Sequence, residues 1–212
     1  DAERALAPLT RIAAPPSLRT VHALVVASIA VRRLDIAAAR AALARATHSA
    51  RRAGIPSLVA EVEVALRVLE TPAARRIAQG EERPLVLAEV EALLASPALI
   101  VDACRHVVRH DGTRVPLAGR PVLFALARAL GEAWPGDATR ETLIARAFGS
   151  RFTDESHRAR LRVEVARLRR MLRPLADVRA TARGFALTAL RARDVVVLAR
   201  PTDEEHAAVL AL

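Results

Sequence analysis

The chain contains no lysine, so all 33 of its basic residues are arginine, set against 23 acidic ones for a net charge of +10. A genome biased towards arginine and alanine codons explains the missing lysines more simply than function does. Cysteine is nearly absent: Cys104 stands alone, which excludes an internal disulfide or a cysteine-built zinc site and points to a reducing, cytoplasmic setting and a packing role. Long apolar runs are missing too. The longest, 21–31, is about half of the roughly 20 residues a spanning helix needs, and no basic segment with a cleavage site opens the chain. No membrane partner is expected. The six histidines show no ligand spacing with Cys104 or acidic residues, and there is no glycine-rich phosphate loop, nucleophile elbow or apolar carboxylate pair. An enzyme, a metal site and a cofactor are therefore all unexpected. The chain also opens without methionine, as a fragment or processed piece would.

What is present is a folded composition, 52% hydrophobic and 26% charged, with uneven charge. Residues 1–98 carry 13 arginines against 10 acids, 99–191 carry 18 against 9, and 192–212 carry 2 against 4. The basic excess thus belongs mainly to the middle segment, as a nucleic-acid footprint would.

Residues 1–98 show only helical signals, alanine-rich stretches broken at Pro15-Pro16, Gly54-Ile55-Pro56, Thr71-Pro72 and Arg83-Pro84, and read as about five helices. Ser17 is a candidate cap for the helix running to about Arg33, and Gly54 a stop for the next, which starts near Asp35. Ala27, Ala39 and Ala46, with Leu34-Asp35 between the helices, resemble the small positions and turn of one tetratricopeptide repeat.

The texture changes at Pro97. Short β-prone stretches at 99–101, 106–108 and 114–116 follow, with Asp111-Gly112 as a hairpin turn between the last two. Helices are expected at about 120–133, at 140–148 capped by Thr139, and at 154–175. A closing hairpin occupies 177–187. Three strands, three helices and a hairpin describe a winged helix.

Four pieces within about 99–190 resemble the OmpR/PhoB-type DNA-binding effector domains of bacterial response regulators. They are Gly112-Thr113-Arg114-Val115-Pro116-Leu117, Thr139-Arg140-Glu141-Thr142-Leu143-Ile144, Val163-Glu164-Val165-Ala166-Arg167-Leu168-Arg169-Arg170-Met171-Leu172, and Thr181-Ala182-Arg183-Gly184-Phe185. The chain departs from the family at Phe185, where a tyrosine is usual, and at Ala182, where a glycine is. The family normally carries a phosphoacceptor domain upstream, whereas 1–98 shows no β/α alternation, so control by phosphorylation is not supported. The resemblance implies base-facing positions at Arg162, Val163, Ala166 and Arg167, a phosphate-facing one at Arg169, and a minor-groove wing carrying Thr181 and Arg183.

Helical geometry alone adds to this. At about 100° per residue, Leu161, Val165, Leu168, Leu172 and Leu175 form one stripe, so the opposite face centres on Ala159, Val163, Ala166 and Arg170. Arg160 and Arg167 flank it on one side, Arg162 and Arg169 on the other. Small residues let a helix enter the major groove, where methyls meet thymine and guanidiniums reach guanine or phosphate. Arg151 and Arg158 are further phosphate candidates, and Glu164, at the edge of the stripe, is an ion-pair partner. The competing reading is a solvated arginine face.

The expectation is a mainly α protein with a small β component. Residues 1–98 form a helical-hairpin domain, 99–190 an α+β winged helix-turn-helix, and 191–212 a strand at 195–198 with a capped helix opening a further domain. The expected function is sequence-specific transcription regulation in a bacterial cytoplasm, with duplex DNA as partner beside RNA polymerase or a second copy of the chain. The alternative is a protein-interaction scaffold built on the same elements.

Overall fold

The computed structural model describes residues 14–150 and 154–201. Among them the chain is a mixed α/β protein of seven helices and nine strands. Helices α1 (Pro16–Arg32) and α2 (Ile36–Ala53) pack side by side, with Ala27, Ala30, Ala39 and Ala46 buried. The tight turn between them places Leu34 at φ 56°, and Asp35 caps α2 by accepting from Ala38 N at 2.9 Å. Gly54 ends α2 in the left-handed conformation its missing side chain allows. Ser17 is not a cap. It lies inside the first turn, because Pro16, with no amide N–H and a fixed φ, already starts the helix. Helix α3 (Pro56–Glu70) completes this layer.

The next segment corrects the all-helical expectation for 1–98. Strands β1 (Pro72–Ala78) and β2 (Glu81–Val86) form an antiparallel hairpin around Gln79-Gly80, both at positive φ. Their alanines, arginines and glutamates favour a helix in isolation. What imposes the extended form is pairing at a distance, for β1 also lies against residues 197–199. The proline breaks at 72 and 84 thus belong to a hairpin, and Pro84 falls on the sheet edge, where its lost N–H costs no ladder bond.

Helix α4 (Leu87–Ala95) leads to β3 (Leu99–Asp102), β4 (Val107–His110) and β5 (Thr113–Pro116). Asp111 and Gly112 turn the β4–β5 hairpin at φ 45° and 77°. Asp102 closes the end of β3, its Oδ1 accepting from the backbone N–H of Cys104 and Arg105. The Cys104 thiol is buried, and burial pushes its pKa up to about 11, consistent with packing rather than reactivity. Then come α5 (Pro121–Ala133), β6 (Asp137–Thr139), α6 (Arg140–Phe148), α7 (Glu155–Leu172), β7 (Ala176–Ala180), β8 (Gly184–Ala189) and β9 (Val195–Ala199).

Six strands form one sheet in the order β2-β1-β9-β3-β4-β5, and β6-β8-β7 form a second. Strand β9 lies in the interior of the large sheet, parallel to β3 and antiparallel to β1. All five of its residues are buried, so it reads as an unbroken apolar run. Residues 195–199 thus join the segments before and after residue 98 in one sheet. The helix expected from Thr202 onward lies outside the described residues.

Strand alternation gives the large sheet a separate core on each face. Leu99, Val101, Val195 and Val197 face α5, α6 and α7, whereas Ile100, Val196 and Leu198 face the N-terminal helices and β1. On the first face α5 approaches closely at Gly131, where an added Cβ would stand 2.9 Å from Val197 Cγ2 and 3.2 Å from Val101 Cγ2. No helix among the described residues is long and apolar enough to cross a membrane.

Candidate nucleic-acid interface

Helix α7 starts where Asp154 accepts from His157 N at 2.8 Å and is fixed by its buried stripe, Leu161, Val165, Leu168 and Leu172, with Leu175 buried just beyond. The opposite face follows from that stripe. Ala159, Val163, Ala166 and Arg170 are all exposed, and Val163, half exposed in spite of its size, stands at the centre. Helix α6 packs beside it, with Leu143 and Ile144 buried, Thr139 accepting from Thr142 N at 3.2 Å, and Gly149 ending the helix. Arg151 lies outside the described residues.

Arginines project from both flanks of α7. On one side, Arg158 and Arg162 share Glu155, at 3.8 and 3.0 Å. Arg169 Nε donates to the Val178 carbonyl at 2.7 Å and lies 3.4 Å from Asp177, so the expected phosphate-facing side chain also ties α7 to β7. Arg140, at the start of α6, donates to the Ala182 and Thr181 carbonyls at 2.8 and 3.2 Å. These four arginines line a cleft of about 360 Å³ between α7 and the β7–β8 hairpin, over Val165, Ala166 and Phe185, and among the described residues no carboxylate lines it.

On the other flank Arg167 pairs with Glu164 at 2.8 Å, the ion-pair role expected of that glutamate. Arg170 has no partner among the described residues. Arg160 is held over the Phe148 ring, 4.3 Å from its centroid, which anchors it to the end of α6.

The hairpin turn is closed by a compact network. The Thr181 hydroxyl donates to Asp137 Oδ2 at 2.7 Å and accepts from Gly184 N at 2.9 Å, while Arg183 reaches Asp137 Oδ1 at 2.7 Å. Both residues expected to enter a minor groove are thus engaged in shaping the turn, although the Arg183 side chain remains 75% exposed. Sequence reasoning missed Asp137 and Arg140 as parts of this site, because their partners lie more than forty residues away.

The Thr181 hydroxyl bond and the Arg183 charge hold the Asp137 carboxyl below the usual carboxylate range. A depressed folded-state value means that its stabilising effect is complete at neutral pH and is lost in acid, as pH falls through that lowered value. Urea unfolding of the wild type should therefore show no dependence on this group between roughly pH 5 and 8 and a decline in acid that is shallower in Asp137→Asn. Superimposable acid limbs for the two proteins would remove Asp137 from the account of the turn.

Comparison of the chain with family models, with curated proteins and with solved structures finds no match.

Proposed function

We propose that this chain binds duplex DNA as a winged helix-turn-helix regulator. In this reading α6 and α7 are the helix-turn-helix pair, α7 enters the major groove, and the β7–β8 hairpin is the wing. The observation that carries it is the cleft, lined by no carboxylate among the described residues, in which Arg140, Arg158, Arg162 and Arg169 converge beside the small-residue face of α7. Guanidinium forks suit phosphate oxygens, and exposed small side chains permit close approach to base edges. Val163, Ala166 and Ala159 then meet the bases and thymine methyls. Arg158, Arg162 and the outer nitrogens of Arg169 and Arg183 neutralise the backbone, Arg140 and Thr181 set the angle of the wing, and Arg160, Arg167 and Arg170 face the other strand or a partner.

The test is fluorescence anisotropy of a labelled random-sequence duplex titrated with the full chain at roughly 50 and 200 mM salt. Four to seven phosphate contacts predict a fall in affinity of about two to four orders of magnitude across that range. Absence of binding at the lower salt would overturn the reading.

A scaffold role has one observation of its own. Leu18, Val21 and Val25 on α1 are 47%, 44% and 42% exposed and lie on one face, an apolar stripe suited to protein contact. It lies in the helical half of the chain and is compatible with DNA binding by the other.

A further inference from the structure

A second concavity lies on the opposite flank of α7, about half a helical turn around from the arginine cleft. It is a groove of about 520 Å³ between the first turn of α5 and the middle of α7. Its floor is apolar, formed by Val122, Leu123 and Met171, and its rim carries Arg120, Arg167 and Arg170. Among the described residues Glu164 is the only acid in the lining and is already paired with Arg167, leaving two positive charges in excess. Arg120 is held against the Met171 sulfur and Arg170 has no partner among the described residues, so both keep guanidinium donors free. The first turn of α5 has no capping side chain and no acid, which adds to the same positive potential.

We propose that this groove docks an acidic amphipathic segment of a partner protein, its carboxylates meeting the arginine rim and its apolar side chains covering Val122, Leu123 and Met171. Charge and shape together select that occupant. A phosphate strand would satisfy the rim but leave the apolar floor in water, whereas a segment with acidic and apolar residues at helical spacing satisfies both. Methionine suits such a floor because its flexible thioether adapts to different side chains. The groove shares no lining residue with the arginine cleft, so the segment docks on the flank of the helix away from that cleft.

The experiment titrates a fluorescein-labelled peptide of about 16 residues, with Glu and Leu at i, i+4 spacing, and its Lys-for-Glu counterpart against the full chain and against Val122→Asp and Arg120→Glu. Arg120 is exposed, so its variant keeps the test valid if Val122→Asp fails to fold. The expected result is saturable binding of the acidic peptide alone, weakened at least about tenfold by either substitution, with random-duplex affinity changed less than about twofold by Val122→Asp. Equal binding of both peptides, or indifference to both substitutions, would overturn the proposal. So would a loss of duplex rather than peptide binding in Arg120→Glu and Val122→Asp, which would make the groove a second phosphate flank. Wild-type binding to the acidic peptide but not to duplex would sink the DNA reading and leave this one standing.

Discussion

Replacing Gly184 with alanine is expected to cost about 3 kcal/mol or more of stability, seen as a lowered urea midpoint, and to abolish duplex binding. Gly184 opens β8 opposite Thr139 of β6, and a Cβ there would stand 1.9 Å from the Ala138 carbonyl oxygen. A contact this short with backbone cannot be relieved by a side-chain rotation. The strands must separate. Displacing Gly184 from β6 also strains the turn, since Gly184 N donates to Thr181 Oγ1 and Thr181 N to the Gly184 carbonyl, each at 2.9 Å. Once the turn shifts, the Thr181 and Ala182 carbonyls leave Arg140, and the cleft loses the residue that joins α6 to the hairpin. Substitution of exposed Ala182 by serine, two residues away, should leave stability within about 0.5 kcal/mol. A cost below about 1 kcal/mol for Gly184→Ala would mean that β6 and β8 do not meet at this register.

The same glycine shows what sequence alone can and cannot supply. Its place in a hairpin turn is readable from Arg183-Gly184-Phe185, but its reason for being glycine lies in Ala138, forty-six residues earlier, and no local pattern announces that contact. Helix α7 is the opposite case. Leucine and valine at 161, 165, 168 and 172 fix both its buried stripe and, by geometry, its exposed face, so the central residues and both arginine flanks follow from spacing. The β1–β2 hairpin was hidden for a physical reason: Ala73, Ala74, Arg75 and Arg76 are helix formers, and their extended state is set by β9, over a hundred residues away in sequence. Arg169 and Arg183 lie between these cases. Their location on the site is local, while their engagement by Val178 and Asp177, or by Asp137, depends on how the hairpin folds back.

Electrostatics then separate residues that shape the site from residues that bind. Among the described residues Arg158 and Arg162 hold only Glu155, an exposed carboxylate, and exposed ion pairs of this kind contribute roughly 0 to 1 kcal/mol. Phosphates can displace it at little cost. The double variant Arg158→Ala, Arg162→Ala should therefore remain as stable as the wild type yet lose about two phosphate contacts, lowering the slope of log K against log salt by about 1.8. At low salt this amounts to a loss of one to two orders of magnitude in random-duplex affinity, again on the order of the effect of two contacts. Glu155→Gln provides the opposite sign. It removes the carboxylate that competes with DNA for both guanidiniums, so affinity should rise by about threefold while stability barely moves. Arg169→Ala should behave differently from either: it breaks the tie between α7 and β7, and stability and binding fall together. Measured side by side, the three variants distinguish a cleft that binds phosphate from a solvated arginine face, for on a merely solvated face Arg158, Arg162 and Glu155 would leave duplex affinity where it was.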